Sequence, residues 1–242
     1  AQKRSELYTG YDGLYENYRR TGNYTAAREA FWSALDAASL IKSGSWEKKY
    51  RYSSLSSLQV TAGDFLGARR TADAMEDNDY REGALAAIAK AKVGYGDFRQ
   101  AEEAMNEISS ANKKDEIRLE ILKKQAEGGK IADANKTLAL IVNKSTKDSA
   151  GEHIAIAYLK AGNKEAAKAI LAKLPGDPGY KIFEEMTKAG EMAWAYQAFA
   201  NLKSDSWKQY FLKYITQAEA KRGNIIAAKK AAEQITDKWH QT

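Results

Sequence analysis

Residues able to do covalent or metal chemistry are scarce in this 242-residue chain. It has two histidines, His153 and His240, and no cysteine. A zinc or copper centre is usually built on a His-x-x-x-His pair or a Cys-His set, and two histidines distant in sequence with no cysteine do not supply one. Disulfides and thiol nucleophiles are excluded. Gly94-Tyr-Gly96 has a Gly-x-Gly spacing but follows a helical pattern and lacks a third glycine, so it reads as a helix terminator. Gly128-Gly129 reads the same way, and no Gly-x-Ser-x-Gly elbow occurs. The paired carboxylates Glu102-Glu103 and Glu184-Glu185 have no histidine beside them. Without a partner or an apolar pocket they are solvated helix charge rather than an acid–base pair. The expectation is a protein that is not an enzyme, with no catalytic, cofactor or metal site.

What remains is non-covalent recognition. All 25 aromatic residues (14 Tyr, 6 Phe, 5 Trp) fall in 8–98 or 158–239. Tyr8, Tyr11, Tyr15 and Tyr18 recur at intervals of three and four, which is one face of a helix. That face is either a core-packing stripe or an exposed aromatic docking surface, since tyrosine supplies amphipathic contact area. Trp46, Tyr80 and Trp207 each precede a glycine by 16 or 17 residues and are expected to wedge into the core. The net charge is +6, with 38 basic residues interspersed among 32 acidic ones. No run of five like charges forms a nucleic-acid arm, so nucleic acid is not the expected partner. No apolar run approaches the length of a membrane span. The chain begins Ala1-Gln2-Lys3, as signal-peptide removal often leaves it, so a periplasmic or secreted location is expected, with the cytoplasm as the alternative.

The elements that must position these residues are helices. Ala, Lys, Glu, Leu and Gln dominate, there are only two prolines, and no stretch alternates as a strand does. The fold class is all-α. A repeat then emerges. Seven glycines (Gly22, Gly63, Gly96, Gly129, Gly162, Gly190 and Gly223) are each followed five residues later by alanine, at Ala27, Ala68, Ala101, Ala134, Ala167, Ala195 and Ala228. Subtracting neighbours gives spacings of 41, 33, 33, 33, 28 and 33. Eight residues before each glycine, and nine and twelve after it, every residue is apolar. Each unit reads as a helical hairpin: an amphipathic helix, a glycine stop, an Asp or Asn cap in five of the seven, and a second helix whose alanine admits close approach. A lone hairpin cannot bury its stripes, so hairpins stack into a solenoid. The spacing of 41 predicts a long second helix, about Tyr24 to Ile41. Pro175 and Pro178 in the short spacing predict an abbreviated helix near Tyr180 to Ala189 and an irregular junction at 175–179.

The turns Gly63-Asp-Phe-Leu-Gly-Ala68 and Gly96-Asp-Phe-Arg-Gln-Ala101 resemble those of tetratricopeptide repeats. The period here is 33 rather than 34, and the family's closing proline is mostly absent. The resemblance implies one domain over 1–242, a right-handed superhelical solenoid of about seven antiparallel two-helix repeats. It also implies a groove lined by positions six and two before each turn glycine. Those positions hold Lys90 and Lys123, and Lys160, Lys188 and Lys221 as a ladder, with Tyr180 and Tyr210 beside it. Such a groove suits an acidic peptide or another anionic polymer.

Three functions follow as expectations. The first is a non-catalytic scaffold or adaptor that binds a protein or peptide in the groove or at the aromatic-rich ends. The second is an accessory or chaperone-type subunit of an exported envelope or secretion assembly. The third is a module for a polyanion, nucleic acid or polysaccharide. The terminal helix, about Ile225 to Trp239, with Ile226, Ala231 and Ile235 on its apolar side, is a candidate for pairing two copies.

Overall fold

The computed structural model describes residues 13–15, 17, 20–175 and 179–236. Among these the only regular elements are helices. Residues 13–15, 17 and 20 are helical. Then follow α1 (Tyr24–Ser39), α2 (Trp46–Ala62), α3 (Phe65–Asp73), α4 (Asn78–Gly94), α5 (Phe98–Asn106), α6 (Ala111–Glu127) and α7 (Ile131–Leu140). After these come α8 (Lys144–Lys160), α9 (Lys164–Leu171), α10 (Tyr180–Lys188), α11 (Met192–Ala200), α12 (Asp205–Lys221) and α13 (Ile225–Ala232). The chain divides into two compact units, Ala1–Ile121 and Leu122–Thr242, and the division falls within α6 rather than at Pro175–Gly179.

The turn signature has a single local structure. All seven glycines are left-handed, with φ between +72° and +78°. At Gly63 the amide donates to the Val60 carbonyl at 3.1 Å and the Asp64 amide to the Gln59 carbonyl at 2.9 Å, closing the end of α2. Asn23, Asp64, Asp97, Asn163 and Asn224 then cap the next helix, each side chain accepting from the amide three residues on. A side chain at Gly96 would touch nothing within 4 Å, so its cost is conformational alone. Gly96→Ala is expected to destabilise by about 1–2 kcal/mol, the left-handed penalty. Gly83, within α4 and equally unobstructed, gives the contrast. Gly83→Ala is expected to stabilise by about 0.5–1 kcal/mol. Urea unfolding of the two variants checks both signs.

The alanine five residues on lies at the helix–helix contact. Ala68, Ala101, Ala134, Ala167 and Ala195 are fully buried, and Ala27 and Ala228 nearly so. The apolar residue eight before the glycine is buried at Leu55, Ile88, Ile121, Ile154, Ile182 and Ile215. Leu14 is the exception at 42% exposed, and the adjacent Tyr15 takes the buried place. Helices α2, α4, α6, α8 and α12 have 17 residues each. The second helices α3, α5, α7, α9, α11 and α13 have eight to ten residues, and the departures follow the spacings: the second helix α1 runs to 16 residues, and the first helix α10, after Pro175, only to nine.

Polar contacts tie the first helix of a hairpin to the segment that follows its second helix, at repeated positions. Fourteen residues before the turn glycine, Lys49 pairs with Asp77 at 2.6 Å, Glu82 receives Ser109 and Ser110, and Gln209 accepts from the Thr236 amide at 2.7 Å. Within hairpins, Gln59 accepts from Thr71 and Gln125 from Thr137, both at 2.8 Å. These are the same two repeat positions, four before the glycine and eight after it. The core of the first unit includes Phe31, Leu55, Leu85, Ile108 and Ile117; that of the second, Ile182, Phe183, Phe211 and Ile215.

Two sequence expectations are corrected. Trp46 is not a core wedge: it is 71% exposed and stacks on Tyr50 at 5.4 Å, while Tyr80, half-buried, does pack on the core. Trp46 stands 17 residues before its glycine and Tyr80 only 16, and one residue turns a side chain about 100° around the helix. Trp207 is 41% exposed, lying against Phe211. The terminal helix α13 ends at Ala232, before Ile235, and within it Ile226 does not share the buried side of Ala231 but is 86% exposed. Trp239 lies outside the described residues.

Candidate binding site

The second unit gathers the aromatic and cationic residues on one pair of packed helices, α10 and α12. Along α12, Trp207, Tyr210, Tyr214, Gln217 and Lys221 recur at intervals of three and four and share a face. Along α10, Tyr180, Glu184 and Lys188 do the same. Ser204 caps α12 by accepting from the Trp207 amide, and Gly179 stands at the N-terminus of α10. Buried Ile182, Phe183, Phe211 and Ile215 hold the opposite faces.

The first half of this face is aromatic. Tyr180 meets Tyr210 edge to face at 6.0 Å, Trp207 meets Tyr210 at 5.8 Å, and Tyr210 meets Tyr214 at 5.4 Å. The Tyr210 and Tyr214 hydroxyls lie 3.2 Å apart. Burial, above all, pushes the Tyr214 hydroxyl well above the ordinary tyrosine range; the Tyr210 hydroxyl bond and the nearby Glu184 carboxylate act in the same direction. Tyr214 is therefore a neutral hydroxyl throughout the physiological range.

The second half is a polar cleft of about 380 Å³, open to solvent, lined by Glu184, Thr187, Lys188, Gly190, Tyr214, Gln217, Ala218, Lys221 and Arg222. Lys188 lies 2.8 Å from Glu184 and 3.2 Å from Glu185, and these hydrogen bonds raise its pKa. Arg222 donates to the Gly190 carbonyl at 2.8 Å, which ties it to the α10–α11 turn and leaves further N–H groups for a ligand. Among the described residues no carboxylate lies within ion-pair distance of Lys221 or Arg222. The cleft can bind and orient an anion; it holds no nucleophile with a base.

The proposed lysine ladder is only partly brought together. Lys188 and Lys221 line one cleft. Lys160, the last residue of α8, is exposed and does not line it. Lys123 is half-buried on α6. Lys90, in the first unit, is paired with Glu116 at 2.5 Å. Sequence reasoning missed Trp207, Tyr214 and Arg222, although the interval pattern along α12 would have found the first two. At the other end of the chain, Tyr8, Tyr11 and Tyr18 lie outside the described residues. Tyr15 is 3% exposed and packs on Phe31 at 6.4 Å, so it belongs to the core and not to an exposed docking face. Glu103 pairs with Arg99 on the surface of α5, and among the described residues no cluster suits a metal ion. No helix among them is long and apolar enough to cross a membrane.

No protein-family model matches this chain, and no curated protein does. The crystal structure of Ton1535 from Thermococcus onnurineus NA1 is similar to it at a TM-score of 0.38 and 16% sequence identity, over 98% of this chain and 78% of that one. A likeness of that size decides neither fold nor function.

Proposed function

We infer that the chain is a non-catalytic scaffold for protein–protein interaction, built as a tetratricopeptide-like superhelix of about seven two-helix repeats. The observation that carries this reading is the recurrence of one hairpin turn: seven left-handed glycines, each with a buried alanine five residues on. Repeats of this kind stack on their neighbours and leave an extended surface, which suits the recognition of other chains better than it suits catalysis. Function does not follow from architecture alone. The partner is therefore assigned to a protein or peptide on the further support of the aromatic and cationic side chains collected on α10 and α12.

Affinity capture from the native source, using the tagged full chain at low and at moderate salt, tests this. Reproducible retention of a specific protein is expected. Retention of none under any condition would sink the scaffold reading. A second reading, binding of a polyanion, draws on Lys221 and Arg222, which have no carboxylate partner among the described residues. It requires salt-dependent association with DNA, RNA or an acidic polysaccharide, because counterions are released on binding.

A further inference from the structure

The α10–α12 face is polarised: aromatic at the N-terminal end of both helices and cationic at the C-terminal end. The geometry points to a docking strip for an extended, acidic peptide segment of a partner protein. An aromatic or large aliphatic side chain of that peptide lies on Trp207, Tyr180 and Tyr210, and a pair of carboxylates engages Lys221 and Arg222. This assignment rests on the scaffold reading and adds to it the ligand's chemistry and register.

Three observations set the terms. Trp207 and Tyr180 are partly exposed, at 41% and 38%, on top of a packed aromatic cluster. Rigid aromatic surface of this kind takes up a side chain at little entropic cost. At the other end, Lys221 and Arg222 lack carboxylate partners among the described residues, while Lys188 is occupied by Glu184 and Glu185. A carboxylate arriving in the cleft therefore meets two cations without first displacing an internal pair. Between the ends, Tyr214 and Gln217 offer a hydroxyl and an amide to a peptide backbone.

The strip also fixes a spacing. Tyr210 and Lys221 are eleven residues apart on one helix, about 16 Å at 1.5 Å per residue. An extended peptide advances about 3.3 Å per residue, so its apolar anchor and its acidic pair are about five residues apart.

Fluorescence anisotropy with the full-length chain tests this. The probes are two labelled decapeptides of glycine and serine, carrying one tryptophan and a Glu-Glu pair separated by four residues, in either order. One order is expected to bind at least tenfold more tightly than a peptide of the same composition with the tryptophan next to the pair. Lys221→Glu is expected to weaken binding at least tenfold and Tyr180→Ala severalfold, each with an unchanged circular dichroism spectrum. Lys160→Glu, on an exposed residue outside the cleft, should leave it unaltered. Equal affinity for the spaced and adjacent peptides would overturn the strip, as would equal losses in Lys160→Glu and Lys221→Glu. Tighter, Lys221-dependent binding of heparin or an oligonucleotide would assign the face to polyanions and overturn the peptide. A native partner retained by wild type and by Lys221→Glu alike would overturn the strip while leaving the scaffold standing.

Discussion

Phe211→Ala is expected to lower stability by about 3–5 kcal/mol, the range for emptying a buried aromatic site. Phe211 is fully buried and stacks on Phe183, also fully buried, with centroids 4.1 Å apart and planes within 8°. The pair joins α10 to α12 beneath the candidate strip. Alanine would remove the stacked ring from the buried cluster that also holds Ile182, Ile215 and Leu212, leaving a cavity that packed helices fill only in part. At about 2–4 °C per kcal/mol for a chain of this size, the midpoint falls by about 10 °C. Thermal unfolding followed by circular dichroism reads this directly. Trp207→Ala, at a partly exposed site on the same helix, provides the comparison and should cost about 1 kcal/mol. Similar losses in the two variants would mean that the stacked pair is not the anchor of α12.

Glu82→Ala is expected to cost about 2–4 kcal/mol, because charge-assisted hydrogen bonds to a buried carboxylate disappear together with a helix cap. Glu82 is 3% exposed on α4. Its carboxylate accepts from the Ser109 hydroxyl, from the Ser109 amide at 2.7 Å, from the Ser110 amide at 3.2 Å and from Asn78 at 3.2 Å. It therefore satisfies donors at the start of α6 that the helix itself leaves open. The Ser109 hydroxyl first, then the Ser109 and Ser110 amides, hold its pKa down to about 2, against burial acting in the opposite direction. The folded value lies below the unfolded one. The stabilisation is thus complete above the ordinary carboxylate range and is lost as the pH falls from about 4.5 toward 2. Urea midpoints of wild type and Glu82→Ala between pH 7 and pH 2.5 should converge as the solution becomes acidic. A constant difference across that range would show that the loss is one of packing and not of the carboxylate.

The positions that carry these two effects differ in how visible they were. Phe211 lies four residues before Ile215, the apolar residue eight before its turn glycine, so the helical period marks it as core. Glu82 looks like one more charge on a charged helix. Its role depends on the start of α6, 27 residues later, coming to lie beside α4. The same holds for Lys49 with Asp77 and for Gln209 with Thr236. Their common place, fourteen residues before the turn glycine, is apparent only once the partners are seen.

Short-range physics was fully legible in the residues themselves. A glycine that stops a helix five residues before a core alanine marks a left-handed turn and a close helix contact, because glycine takes that backbone without penalty and a small side chain permits that approach. Helix class, the long α1, the short α10 and the seven turns therefore follow from residue type and interval alone. The candidate site was legible only in part. Lys188, Lys221, Tyr180 and Tyr210 are named by repeat position, but so are Lys90, Lys123 and Lys160, which do not join them. Repeat position says which helix face a lysine occupies. Which cations converge on one cleft, and whether a carboxylate from another helix reaches them, depends on side chains brought in by packing. Lys188 meets Glu184 and Glu185 at intervals of four and three on its own helix, which the residues alone announce; tertiary packing alone decided that Lys90 is occupied by Glu116 and that Lys221 and Arg222 share the α10–α12 cleft with Lys188.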